Sequence, residues 1–228
     1  EKKGYDIDKK AYGRLKSFLQ NKCNIKYINE KDAADDNGYI PNDLFYTLYV
    51  LALSNVFDYS SLNYWKSNLK FVSVESKYLL SACFFLLNDK KSASAILPKS
   101  YQWEEKKIKS SMDSPLRNYA LATYSLMTSD ENNTQLNEMI KIMIQHTKRS
   151  QFTTTQESVF TILSIIHFQK RFSQSTSTAE VFVDEKKYNV VVDSPLILDK
   201  VYGKKVSIKT FGGPAFYYWE SEGIGISN

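Results

Sequence analysis

One stretch, Phe152–Phe168, constrains the fold of this chain more than any other part of the sequence. Thr154 is followed three residues later by Glu157, the spacing of a capping box, which predicts that a helix begins here. The residues after Glu157 are apolar around most of the helix circumference, whereas a helix with one wet side carries a single apolar stripe. The sequence therefore predicts a core helix enclosed by other helices, and the segment is too short and too interrupted to span a bilayer.

Three similar segments lie upstream, each opening with an aromatic residue and continuing with small and apolar residues. They begin at Tyr46, Tyr78 and Tyr119, and Phe160 holds the matching place in the fourth segment, so the offsets are about 32, 41 and 41 residues. Such offsets are typical of stacked helical repeats. More polar helical segments alternate with them: Ile7–Asn21, Ser61–Phe71 and Asn133–Lys148. The alternation predicts antiparallel helix pairs, with the apolar members inside and the polar members outside.

The first of these polar segments has its apolar residues, Ala11, Leu15, Phe18 and Leu19, on one helical face. Between Asp89 and Ser111 the sequence contains Pro98 and predicts one short helix around Trp103–Lys109. Ser114-Pro115 then combines a capping residue with a proline in the first helical position, which predicts the start of the next helix.

The period of the apolar residues changes after Arg171 from that of a helix to that of a strand. Two alternating segments, Ala179–Val183 and Tyr188–Val192, flank the turn Asp184–Lys187. Further strands are predicted at Val206–Ile208 and Ala215–Glu222. The sequence thus predicts a mainly α fold followed by a small antiparallel β-sheet region of four or five strands.

Composition and charge exclude some classes of function. The 228 residues are 43% hydrophobic, enough for a sizeable core, and carry a formal net charge of +5. The lysine pairs at 90–91, 106–107 and 204–205 are far apart, whereas a nucleic-acid surface needs a concentrated basic stripe. We therefore expect no nucleic-acid partner, and the sequence contains no transmembrane segment.

Residues that carry chemistry are few and scattered. Cys23 and Cys83 have no partner at metal-ligand spacing, and Cys83 lies in an apolar segment where a thiol behaves as a small hydrophobic group. His146 and His167 have no second histidine or cysteine nearby, which favours structural roles for both.

The acidic residues do not predict a catalytic or calcium-binding site either. Glu104-Glu105 and the cluster Asp32–Asp36 contain paired carboxylates of the kind that glycosidases use, but no pattern sets two of them across a cleft. A calcium loop ending in Gly38 fails because Ala33 and Leu44 occupy its two anchoring positions. We expect no catalytic, cofactor-binding or metal-binding residue in this chain, and we expect that it is not an enzyme.

Three segments together resemble the C-terminal region of bacterial alpha-2-macroglobulin-like proteins. They are TTTQESVFTILSII at 153–166, the hairpin AEVFVDEKKYNVVV at 179–192 and the strand GGPAFYYWESEGI at 212–224. In that family an α/α toroid, the thiol-ester-type domain, closes with a T-Q-E helix, and the chain then enters the second half of the β domain into which the toroid is inserted. The resemblance covers most of the chain, and the T-Q-E helix and the YYW strand are its most specific parts.

Two features depart from the family pattern. The hairpin has Asp184-Glu185 where the family often has Asn-Gly. The Cys-x-Glu-Gln thioester motif is absent, since Cys23 is followed by Asn24-Ile25-Lys26. Either the motif lies upstream of Glu1, or the protein belongs to the branch that lacks the thioester and traps proteases without a covalent step.

The resemblance implies a complete domain organisation. Residues 1–171 would form the toroid-like array of antiparallel helix pairs, and residues 172–228 would form half of a split β-sandwich. The parent protein would be a periplasmic or cell-envelope endopeptidase inhibitor in which cleavage of a bait segment triggers a rearrangement that encloses the protease. The partners would be proteases, through the full-length parent, and other domains of the parent chain, with no nucleic acid and no direct membrane insertion of this fragment.

Two other interpretations stay open. The first is a helical-repeat scaffold that binds peptides or proteins in its concave face, although offsets of about 32 and 41 do not fit the strict 34-residue period of tetratricopeptide arrays. The second is a carbohydrate-active α/α barrel, which needs acidic residues lining a central cavity. Both alternatives share the helical array and differ in what its concave side holds.

Overall fold

The computed structural model describes residues 7–25, 28, 38–103, 114–149, 154–170, 178–190 and 196–212. The chain divides into two compact units, Glu1–Phe168 and Gln169–Asn228. The boundary predicted from the sequence, between residues 171 and 172, lies outside the described residues.

Helices make up the described part of the first unit. In chain order they are α1 (Lys9–Cys23), α2 (Asn42–Leu53), α3 (Tyr59–Ser67), α4 (Val74–Leu86), α5 (Lys90–Ile96), α6 (Pro115–Ser129), α7 (Gln135–Arg149) and α8 (Thr155–Lys170), with a 3₁₀ turn, Leu69–Phe71, after α3. None of the described helices is long and apolar enough to cross a membrane.

Short polar side chains set where most of these helices begin. Asp8, Asp58, Ser73, Asp89 and Ser114 each accept a hydrogen bond from a backbone N–H in the first turn of the helix that follows. These bonds satisfy donors that an uncapped helix leaves without partners. The helix start predicted at Ser114-Pro115 is confirmed.

Helix α5 was not predicted from the sequence. The Asp89 side chain caps it by accepting from the N–H of Ser92 at 3.0 Å, and Ala93 and Ile96 are buried. The helix expected around Trp103–Lys109 falls mostly outside the described residues, and Trp103 itself is not helical.

Helices α2, α4 and α6 supply most of the core. Tyr49, Tyr78 and Tyr119 are almost fully buried, and the outer helix α3 adds Trp65, whose ring lies edge-on to Phe45 at 5.5 Å. The Tyr49 hydroxyl is 2.6 Å from the hydroxyl of Thr128, which joins α2 to α6. The prediction of buried aromatic-led helices is confirmed for these three.

For α8 the prediction of a helix enclosed on all sides is wrong. Val159, Ile162 and Ile166 are 47%, 54% and 42% exposed, although Leu163 is half-buried and Leu121 on α6 is buried as expected. Helix α8 packs on α6 through small polar residues instead: the Ser164 hydroxyl donates to the carbonyl oxygen of Ala120 at 2.9 Å. This close approach uses one face and leaves an apolar stripe in solvent.

Helix α1 departs from the sequence interpretation in the same way. Leu19 and Cys23 pack on the core, while Leu15 and Phe18 are more than half exposed. The four apolar residues share one helical face as predicted, but the core covers only the edge of that face that holds Leu19.

The described part of the second unit contains a three-stranded antiparallel sheet. Strands β1 (Thr178–Val183), β2 (Lys186–Asn189) and β3 (Val206–Phe211) lie in the order β2-β1-β3. The turn is Asp184-Glu185, two residues shorter than predicted, with Asp184 at a φ of 54°. The predicted segment Ala215–Glu222 lies outside the described residues. A mainly helical unit followed by a small antiparallel sheet is thus confirmed as the fold class.

Candidate functional site

The side chain of Arg117, near the start of α6, is the buried cation of the described part of the helical unit, with only 6% of the residue exposed. Its Nε donates to the Oε1 of Gln156 on α8 at 2.7 Å, and its Nη1 donates to the Oδ1 of Asn118 at 3.0 Å. Its Nη2 lies 3.9 Å from the carboxylate of Asp43 on α2, an exposed side chain. A buried charge is tolerated when it is paired and hydrogen-bonded, and Arg117 meets both conditions.

Two aromatic rings complete the surroundings of Arg117. The guanidinium carbon lies 6.0 Å from the ring centroid of Tyr46 on α2 and 5.7 Å from that of Phe160 on α8. The two rings contact each other edge to face at 5.8 Å. An arginine over aromatic faces gains cation–π attraction, which is stronger where water is excluded. Arg117 therefore holds three helices together at one point.

A second link between α6 and α8 runs through Glu157. Its carboxylate accepts from the N–H of Thr154 at 2.6 Å, and the Thr154 hydroxyl accepts from the N–H of Glu157 at 3.2 Å, so the predicted capping box is confirmed. The hydroxyl of Ser114, which caps α6, donates to the other oxygen of Glu157. One carboxylate thus caps its own helix and binds the cap of its neighbour.

Asn42, the first residue of α2, makes the equivalent link to α4. Its Oδ1 accepts from the hydroxyls of Ser73 at 2.8 Å and Ser76 at 2.6 Å, and its Nδ2 donates to Glu75 at 3.0 Å. The starts of α4, α2, α6 and α8 are therefore connected in series by side-chain bonds. We call these residues the inner-helix junction: Asn42, Asp43, Ser73, Glu75, Ser76, Ser114, Arg117, Gln156 and Glu157.

The polar side chains of the inner-helix junction form hydrogen bonds and an ion pair between helices. The buried polar side chains among the described residues are hydroxyls, one amide and the Arg117 guanidinium. In the junction they are used in bonds between helices. The carboxylates of Glu75 and Glu157 accept hydrogen bonds from neighbouring helices, and that of Asp43 is ion-paired with Arg117. The arrangement fixes the relative positions of four helices.

The two cysteines lie in the core as free thiols. Cys23 is fully buried with its Sγ 3.9 Å from the carbonyl oxygen of Leu44, and Cys83 is fully buried on α4. Burial, and then the nearby Asp58 carboxylate, raises the pKa of Cys23 to about 12. Burial also raises the pKa of Cys83 far above its ordinary value. Both thiols are held in the unreactive protonated form, because the thiolate is the nucleophile.

The histidines and acidic clusters considered from the sequence are not brought together. His146 stacks on Trp103 with ring centroids 3.7 Å apart, and His167 lies edge-on to Tyr124 at 5.1 Å. Glu104-Glu105 and Asp32–Asp36 lie outside the described residues. Among residues that the structure does describe, no three His, Cys, Asp or Glu side chains lie close enough to hold a metal ion.

Sequence reasoning identified one side of the inner-helix junction and missed the other. The Thr154–Glu157 spacing indicated the capping box, but nothing marked Arg117 or Asn42 as buried linkers. One signal was present: Arg117 follows the cap Ser114 by three residues, which places its side chain beside the cap. Its partner Gln156 is 39 residues further on and only the fold connects them.

Comparisons by sequence give no relatives. No protein-family model matches this chain, and no curated protein matches it. The evidence for relationship therefore comes from the fold.

Solved structures of bacterial alpha-2-macroglobulins have the same fold over 92% of this chain. A segment of the native Escherichia coli protein that extends to its C-terminus superposes with a TM-score of 0.63 at 14% identity, and this chain covers 32% of it. A tyrosine-to-glycine mutant of the Salmonella protein gives 0.62 at 14% identity, and the native E. coli protein seen by cryo-electron microscopy gives 0.61 at 15%. This chain spans 13% of each of the last two. The similarity of fold thus agrees with the resemblance inferred from the T-Q-E helix and the hairpin.

Proposed function

We propose that this chain is the non-catalytic helical and β portion of a protease-trapping protein of the alpha-2-macroglobulin type. The observation that carries the proposal is the inner-helix junction, together with a common fold over 92% of the chain. The residues of the T-Q-E segment are those that fasten α8 to α6, through Gln156 and Glu157. The segment on which the resemblance depends therefore has a physical task in this chain.

In this proposal the helical unit acts as a body that moves without unfolding. Cleavage of a bait segment elsewhere in a longer, periplasmic or envelope-associated parent releases domains that re-dock around the protease. A unit that rearranges in this way needs internal links stronger than its contacts with neighbouring domains. Four helices joined by a buried arginine and by side-chain caps meet that need.

The chemistry of the described core favours this proposal over a carbohydrate-active barrel. Hydrolysis of a glycosidic bond uses two carboxylates facing each other across a cleft. The carboxylates of the inner-helix junction lie at helix starts, where Glu75 and Glu157 accept hydrogen bonds and Asp43 is ion-paired with Arg117.

The test is a trapping assay on the parent protein that contains this chain. After incubation with a protease that cleaves the bait, a trap leaves the enzyme active on a small chromogenic peptide and inactive on casein. We expect this separation, with the protease migrating together with the parent on a native gel. Equal loss of both activities, or no loss of either, would overturn the proposal.

A further inference from the structure

Helix α1 presents a surface that the proposed function does not use. Leu19 and Cys23 pack on the core from one side of this helix. On the adjoining part of the helix surface Leu15 is 52% exposed and Phe18 is 57% exposed. The two residues are three positions apart, which makes them neighbours on the helix surface. This leucine–phenylalanine pair leaves apolar surface in water on a helix whose other contacts are already made. Such a surface is a candidate binding site for a partner.

The charge of α1 limits what that partner can be. Within its fifteen residues the helix has five cations and no acidic residue: Lys9, Lys10, Arg14, Lys16 and Lys22. Arg14 and Lys22 lie four positions on either side of Phe18, and the Lys22 Nζ is 5.7 Å from the Phe18 ring centroid. None of the five forms an ion pair within the part of the chain that the structure describes. We call Arg14, Leu15, Phe18 and Lys22 the α1 face.

Comparison with α8 shows why charge matters here. Helix α8 also exposes an apolar stripe, at Val159, Ile162 and Ile166, but its sixteen residues contain only Glu157 and Lys170 as formal charges. The exposed stripe of α8 contains no charged residue that could attract an oppositely charged partner. The α1 face combines exposed apolar side chains with cations that form no ion pair among the described residues, which is the composition of helices that lie in a membrane interface.

From this combination we propose that the α1 face docks the protein on an anionic phospholipid surface. The helix lies in the plane of the headgroups, Leu15 and Phe18 enter the acyl boundary, and Arg14 and Lys22 bind lipid phosphates. Fifteen residues are too few to span a bilayer, so the contact is peripheral. This proposal replaces the expectation, taken from the resemblance, that the fragment does not insert into a membrane. Nucleic-acid phosphates would also attract the cations, but they would leave Leu15 and Phe18 unused. The proposal is independent of protease trapping.

The experiment is co-sedimentation of the 228-residue chain with vesicles at about 0.1 M salt, where charges are not fully screened. Vesicles of phosphatidylcholine with about one third phosphatidylglycerol should bind at least ~10-fold more tightly than pure phosphatidylcholine. The double substitution Arg14→Gln, Lys22→Gln should weaken binding about 25-fold, since each cation near an anionic surface contributes about fivefold. Leu15→Ser with Phe18→Ser should weaken it by ~10-fold or more.

Two matched controls separate the α1 face from general stickiness. Ile162→Ser removes an equally exposed apolar residue from α8, and Lys90→Gln with Lys91→Gln removes two exposed charges from α5. Both should leave vesicle binding within about twofold of the unaltered chain. Circular dichroism should be unchanged in all variants, because every substituted side chain is on the surface. Controls that weaken binding as much as the α1 variants would overturn the proposal.

A second readout reports insertion directly. The Phe18→Trp variant adds a tryptophan at the proposed membrane contact. Its emission, obtained by subtracting the spectrum of the unaltered chain, should shift to shorter wavelength when anionic vesicles are added. No vesicle binding, or binding without a blue shift, would contradict the proposal. Binding of a DNA duplex that equals vesicle binding and is insensitive to Leu15→Ser with Phe18→Ser would assign the surface to nucleic acid instead.

Discussion

Arg117 and Gln156 are 39 residues apart in the chain, and the Nε of the arginine donates to the amide oxygen of the glutamine at 2.7 Å. The bond joins the start of α6 to the T-Q-E segment at the start of α8. Because the cation is 6% exposed, its hydrogen bonds cannot be replaced by bulk water without opening the helices. The pair explains in physical terms why a polar motif begins an otherwise apolar helix.

Removing the acceptor from this pair should destabilise the helical unit. We expect Gln156→Leu to lower the free energy of unfolding by about 1.5–3 kcal/mol, the range for a hydrogen bond to a charged group. Gln156→Glu keeps an acceptor and adds a charge opposite to that of Arg117, so it should cost less. Urea unfolding followed by circular dichroism measures both. Identical midpoints for the leucine and glutamate variants would contradict the role given to Arg117.

The two sides of α8 should respond differently to substitution. Ile162 is 54% exposed, so Ile162→Gln should change stability by less than about 0.5 kcal/mol. Leu121 on the facing helix α6 is 2% exposed, and Leu121→Ala should cost about 2–5 kcal/mol through lost burial and a cavity. Thermal unfolding of both variants measures this difference. If α8 were enclosed on all sides, Ile162→Gln would lower stability about as much as Leu121→Ala.

Buried thiols and phenols should make the fold sensitive to alkali. Burial raises the pKa of Cys23 from 9.0 to about 12, and it raises the pKa values of Tyr49 and Tyr119 as well. A folded-state pKa above the unfolded value stabilises the fold fully at low pH, and this stabilisation is lost as pH rises from about 9 toward 12. The free energy of unfolding should therefore fall across that window. A thiol reagent at pH 8 should label no cysteine until denaturant is added, and rapid native labelling would contradict this.

The small sheet should promote self-association. Strand β1 is paired on both sides, whereas β2 and β3 each have one partner among the described strands. Unpaired edges favour pairing with another chain unless charge blocks it, and Lys187, which pairs with Glu180, supplies such a charge on β2. Sedimentation velocity should show association that rises with concentration and increases with Lys187→Val.

The control for this prediction is Lys90→Val on α5, which removes an exposed lysine away from the sheet. It should not increase association. If the unaltered chain and Lys187→Val both stay monomeric at high concentration, residues 172–228 are not half of a split sandwich, and the domain organisation inferred from the resemblance is wrong.

The sequence predicted elements well where a local rule decides them. The capping box at Thr154 and Glu157, the start of α6 and the turn at Asp184 each depend on residues within one turn of the chain. The same pattern could not say which apolar residues would be covered. Ile166 and Leu121 have similar hydrophobicity, but one is exposed and the other buried, because coverage depends on which neighbours approach.

The inner-helix junction shows the same limit for polar residues. Asn42 and Ser76 are 34 residues apart and Arg117 and Gln156 are 39 apart, so no local spacing signals their contact. A buried arginine also contradicts the usual exposure of that residue type. Its place follows from tertiary packing of three helices, which the sequence specifies only through the whole fold.

The central claim is that this chain moves as an intact body in a protease trap, and hydrogen exchange of the parent before and after bait cleavage tests it most directly. The account predicts that protection of backbone amides at the starts of α6 and α8, including those of Arg117 and Ser158, changes by less than about twofold while the parent changes shape. Exchange at these amides more than about tenfold faster after cleavage, showing that the inner-helix junction opens, would contradict it.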